Sequence, residues 1–242
     1  MSNDQSAIIA KRSISLSKTF VAIGIFLALL GVLISSLPSL IGSVASAGIP
    51  VNATGSGRLD LATALPLVSV ALQVFAAITF ATPVLLLYVY DKNNGVLEYF
   101  LSLGMDQRDI YGQYLKAALM LSTGLVGIEV AVNGAVGIIE GLNVLLLAEV
   151  SALVVALALP VVSFGTLVMM SFSSLQKQRV GANQPLGMAI GILMVMPAYV
   201  IPLVAPSLAV TLDLLLAGVI AVLSLLTYLS SSRLISRAKL LP

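Results

Sequence analysis

The stretch Asp91–Lys116, DKNNGVLEYFLSLGMDQRDIYGQYLK, decides how the chain is read. It holds four of the ten acidic residues and three of the twelve basic ones, and long apolar runs lie on both sides of it. Leu97, Phe100, Leu101 and Gly104 fall at helical spacing, with Glu98 and Ser102 on the other side. Gly104 then breaks the pattern. Asp106 is placed to cap a second helix, and Asp109 adds negative charge to its first turn. Ile110, Tyr111, Tyr114 and Leu115 give that helix an apolar stripe. The pattern predicts a short amphipathic helix, a glycine bend, and a helix that re-enters a membrane. Such an element offers a polar tip to a cytoplasmic partner, or anchors at the lipid surface.

Composition sets the surroundings. Of 242 residues, 59% are apolar and 9% are charged, with a mean hydropathy of +1.10. A soluble domain carries about 25% charged residues, so a soluble core is excluded. The chain has no cysteine and no histidine. That removes thiolate metal sites, catalytic thiols and the commonest general base. No G-x-x-x-x-G-K-[ST] motif occurs, so the chain has no phosphate loop of its own. These exclusions argue against an enzyme with its own metal or acid–base centre.

The apolar material divides into runs long enough to cross a bilayer, each about 20 residues. The expected fold is an all-α, polytopic membrane protein with six spans. Residues 1–18 precede the first as an amphipathic interfacial helix or a disordered tail. The remainder, 19–242, reads as one transmembrane domain. Its spans are 19–41, 63–90, 114–139, 142–172, 185–206 and 211–230, with the polar segment 91–113 between the second and third. The first run is too long for a signal-peptide core. Residues 42–62 read as an external loop with a glycosylation sequon at Asn52. Pro83 predicts a kink in the second span, and Tyr88 and Tyr90 are expected at its inner interface. Gly124, Gly127, Ala131, Gly134 and Gly137 offer the third span a ridge for close helix packing. Pro197, Pro202 and Pro206 make the outer half of the fifth a poor regular helix.

Six spans put both termini on one side. With both inside, Lys11, Arg12, Lys18, Lys92, Arg108, Lys116, Lys177, Arg179, Arg233, Arg237 and Lys239 are cytoplasmic, and only Arg58 is outside. That is a strong positive-inside bias.

Acids within the spans are the other notable residues. Glu129 and Glu149 are expected at similar depth in the outer half, on neighbouring antiparallel helices, and Asp213 near the outer end of the sixth span. A mid-membrane acid costs about 2.5–3.5 kcal/mol on insertion scales, so such groups face a cavity or a partner. They suggest an acid-lined outer vestibule or translocation path, or acids hydrated or protonated near the interface. Gln73 belongs to this candidate path, although it and Asn133 read more simply as hydrogen-bond partners between helices.

The opening stretch also carries a resemblance. Asp91-x-x-x-Gly95-Val96-Leu97-Glu98-x-x-Leu101-Ser102, followed by Asp109-Ile110-x-Gly112, resembles the segment between the second and third spans of ABC-2 type transporter permeases. That pattern runs roughly acid-x-x-x-Gly-Thr-Leu-Glu-x-Leu-Leu, then Thr-Pro-Val, then Arg-x-Glu-Ile and Gly-Lys. Here Gly104 stands where proline is usual, Gln107 where arginine is usual, and Gln113 where lysine is usual. Leu103-Gly104-Met105 is also similar to a turn of the FtsX/MacB-like permeases, but the loop 42–62 is too short for their external domain. The ABC-2 resemblance implies a coupling helix that docks on an ATPase subunit through Gly95, Leu97, Glu98, Leu101, Ser102, Gly104, Arg108 and Asp109. It implies two permease copies in the plasma membrane, forming an exporter. No cofactor is expected on this chain, with ATP and Mg on the partner, and no nucleic acid is involved. The competing expectations are a six-span anchor that recruits another cytoplasmic protein, and a proton-coupled secondary transporter.

Overall fold

The computed structural model describes residues 2–46, 61–140, 144–171 and 208–234, together with residues 196, 197 and 200. Seven helices of more than two residues occupy them, and no strand occurs among the described residues. They are α1 (Ser2–Leu16), α2 (Lys18–Ser46), α3 (Leu61–Asn93), α4 (Val96–Ser102), α5 (Gln107–Glu140), α6 (Val144–Ser171) and α7 (Ala209–Leu234).

Five of these, α2, α3, α5, α6 and α7, contain stretches long and apolar enough to cross a bilayer. Their outer surfaces support the same reading. Phe26, Leu29, Ile128, Leu215, Val222 and Leu225 are all exposed. In water such a surface would drive aggregation, but in hydrocarbon it is matched to its solvent. The chain is a helical, multi-pass membrane protein. The expected fifth span, 185–206, lies almost wholly outside the described residues, as do Asn52 and the loop 173–184.

α3 is the central helix. It packs along α2 and also meets α5, α6 and α1. Val70, Val74, Ala77, Ala81 and Val84 form its buried face. The helix runs unbroken through Pro83. α6 closes the other side against α3 and α5, and α7 packs mainly on α6. Asp213, Ala217, Ile220 and Ser224 recur at helical spacing as the buried stripe of α7.

The N-terminal segment is helical. Ile9, Ala10, Ser6 and Ser13 face inward against α3 and α5, while Ile8, Lys11 and Leu16 are exposed. Only Ser17 separates α1 from α2.

Tyr88 is buried and packs edge-on to Tyr114 with ring centroids 5.3 Å apart. Tyr90, two residues on, points the other way and is exposed. Among the described residues, most of the glycine ridge of α5 is left uncovered. A Cβ added at Gly124, Gly127 or Gly134 would meet nothing within 4 Å, whereas Gly137 lies against Leu147 of α6.

Candidate functional site: the elbow between α3 and α5

α4 exists because glycine permits both of its joints. Gly95 has φ 73° and Gly104 has φ 80°, both left-handed. An L-residue there strains its Cβ against the backbone. At Gly104 the chain closes a Schellman motif. The Gly104 N–H donates to Leu101 O at 3.1 Å, and the Met105 N–H donates to Phe100 O at 3.2 Å. Proline, which lacks the N–H, would lose the first of these bonds. Asp106 then takes the N-cap position of α5, its carbonyl accepting from the Asp109 and Ile110 N–H groups at 3.0 and 3.2 Å.

The seven residues of α4 divide by face. Leu97 is fully buried, and Phe100 and Leu101 pack at the core edge. Burying a leucine is worth about 1.5–3 kcal/mol, so Leu97 pins the helix to the bundle. Glu98, Tyr99, Ser102 and Leu103 are exposed, Tyr99 and Leu103 both at 61%. Arg108 and Asp109 are also exposed, on the first turn of α5. The Arg108 guanidinium lies 5.1 Å from the ring centroid of Tyr228 on α7. Of the residues expected at a docking face, Leu97 belongs to the core, and Glu98, Ser102, Arg108 and Asp109 are available at the surface.

At the elbow lies a polar cluster that sequence reasoning missed. Asp91, the one acid of α3, reads in the sequence as part of the polar stretch, yet it is fully buried. Arg12 Nη2 of α1 donates to Asp91 Oδ1 at 3.1 Å, and Tyr114 Oη of α5 donates to Asp91 Oδ2 at 2.6 Å. Next to it, the Tyr88 and Tyr111 hydroxyls lie 2.9 Å apart, and Tyr111 donates to Met170 O of α6 at 2.9 Å. The cluster ties α1, α3, α5 and α6 together at the ends of α3 and α5 that α4 connects. The available signal was three tyrosines and one acid recurring at inward helical positions, Tyr88 and Asp91 on α3, Tyr111 and Tyr114 on α5.

No family model, no curated protein and no solved structure matches this chain.

The intramembrane residues form a second group. Asn133 Nδ2 of α5 donates to Gln73 Oε1 of α3 at 2.9 Å, and Ser35 Oγ of α2 donates to Asn133 Oδ1 at 3.1 Å. Gln73 is therefore brought together with Asn133 as a bond between helices. Glu129, one turn before Asn133, is 1% exposed, and among the described residues neither of its carboxylate oxygens has a hydrogen-bond partner. Asp213 is fully buried, and both its oxygens are likewise unpartnered among the described residues. Glu149 is only partly buried. The Gly137–Leu147 contact fixes the register of α5 and α6. At about 1.5 Å per residue, Glu129 lies about 12 Å and Glu149 about 3 Å below it. The two acids are thus staggered along the helices rather than level.

Proposed function

We propose that this chain is the permease subunit of an ATP-binding cassette exporter in the plasma membrane, with both termini cytoplasmic and six spans. Two copies form the translocation path. A separate ATPase subunit, which carries ATP and Mg, docks on α4. The observation that carries this reading is the α4 elbow: a seven-residue helix jointed by two left-handed glycines, pinned inward by Leu97 and presenting Glu98, Tyr99 and Ser102 outward. A load on α4 passes to α3 and α5 through Leu97 and through the Asp91–Tyr114 bond. Packed cores respond to such a load by rigid-body shifts rather than by smooth deformation. The ridge of Gly124 and Gly127, uncovered among the described residues, supports a second copy packing against α5. Glu98→Lys combined with Arg108→Glu tests the coupling. It is expected to abolish ATP-driven transport while leaving the permease inserted, and undiminished transport by the double variant contradicts the proposal.

Glu129 and Asp213 favour a second reading, a secondary transporter in which these acids carry protons. Transport that survives ATP depletion but stops when the proton gradient is collapsed selects it.

A further inference from the structure

Two cavities meet where α1, α4, α5 and α7 converge. One, of about 450 Å³, is lined by Arg108, Lys116, Gly112 and Tyr228, with Asp109 as its one acid. The other, of about 230 Å³, is walled by Ile8, Ile9, Phe100 and Ile110, with Arg12 and Tyr114 at its edge. Gln5, Met105 and Gln113 line both. A basic, polar chamber therefore adjoins an apolar one.

We propose that this junction binds an anionic phospholipid, its headgroup between Arg108 and Lys116 and the start of an acyl chain against Ile8, Ile9 and Phe100. Three observations support the assignment. First, Arg108, Gly112 and Lys116 recur every four residues on one side of α5. Among the described residues neither cation forms a salt bridge. Asp109 offsets one of the two charges, so the chamber keeps a net positive charge. Second, among the described residues a Cβ added at Gly112 would meet nothing within 4 Å, so the floor between the two cations is open there. Third, Gln113 is 8% exposed, and among the described residues its Oε1 has no hydrogen-bond partner. A buried carbonyl without a donor costs about 1–3 kcal/mol. A headgroup hydroxyl supplies the donor that is missing there.

The site's position fits the ligand. The positive-inside bias assigns this end of the bundle to the cytoplasmic face, where anionic lipids give about 1 kcal/mol per nearby Lys or Arg. The inference needs only a membrane-embedded chain and does not depend on the ATPase.

The test uses the full-length protein in nanodiscs of phosphatidylcholine doped with phosphatidylglycerol. Lipid retained after transfer to detergent is counted by native mass spectrometry. The wild type is expected to keep phosphatidylglycerol in preference to phosphatidylcholine. Arg108→Gln and Lys116→Gln should each lower that preference about fivefold. Gly112→Leu fills the open floor and should abolish retention, while Gly218→Leu, at an exposed and equally open glycine of α7, should not. Thermal melting identifies any variant that misfolds, and the two glutamine variants decide the matter if Gly112→Leu does. Equal retention of both lipids by the wild type overturns the proposal. So does displacement of the lipid by inorganic phosphate alone, which would mark a site for free anions.

Discussion

Tyr114 of α5 donates a 2.6 Å hydrogen bond to Asp91 of α3, closing the two long helices onto each other at the ends that the short helix connects. Asp91 also holds Arg12, so the N-terminal helix is fastened at the same point. The elbow is built on this knot.

Loss of Arg12 should loosen it. Removing one partner of a fully buried ion pair costs about 3–5 kcal/mol, but the Arg12 side chain is 47% exposed, which lowers the expected cost of Arg12→Ala to about 1–2 kcal/mol. Adding Asp91→Asn should recover part of that loss, because a neutral amide needs no counter-charge. Thermal unfolding of the single and double variants in detergent measures both effects. A wild-type midpoint for Arg12→Ala would contradict the assignment.

The glycine joints make a second prediction. Gly104→Ala meets no steric obstacle, since nothing lies within 4 Å of the added Cβ, yet the φ of 80° should cost about 1–2 kcal/mol. Gly104→Asn should cost less than Gly104→Val, because asparagine tolerates the left-handed region and a β-branched residue does not. Amide hydrogen exchange over residues 96–106 should rise in the same order. Equal exchange in all three variants would rule out backbone strain as the cause.

Within the membrane, Gly31 and Gln73 are coupled by contact. A Cβ at Gly31 would stand 2.7 Å from Gln73 Cγ. Overpacking of this kind costs about 1–3 kcal/mol. Gly31→Ala should therefore lower the melting point, and Gln73→Ala should partly restore it in the double variant. Additive losses from the two changes would show that the helices are not this close.

Topology can be read from the same elbow. The chain has no native cysteine, and Ser102 is exposed. A single Ser102→Cys should react with a membrane-impermeant maleimide only after the cells are permeabilised. Labelling of intact cells would invert the assigned orientation.

Much of the fold was legible because hydrocarbon imposes simple rules. Five of the six expected spans coincide with long apolar helices, and Gly104 announced the bend of the elbow, whereas the joint at Gly95 was not read. Burial of polar residues was not legible. Asp91 and Lys92 look like loop residues beside Asn93 and Asn94, but both are buried, because the last turn of α3 continues under α1 and α4. The arrival of Arg12, 79 residues earlier in the chain, together with the Tyr114 hydroxyl makes that position tolerable for Asp91. The contact of Tyr88 with Tyr111 was not legible either, because the two lie 23 residues apart in sequence and are near only in space. Glycine spacing on α5 signalled packing, but the sequence does not say whether the partner helix belongs to the same chain.

The central claim is that α4 receives force from a separate ATPase. Its most direct test is a photo-crosslinking residue at Tyr99, exposed at the tip of the elbow, activated in native membranes. The account predicts a crosslinked adduct with an ATP-binding cassette subunit. Adducts that contain no nucleotide hydrolase would contradict it.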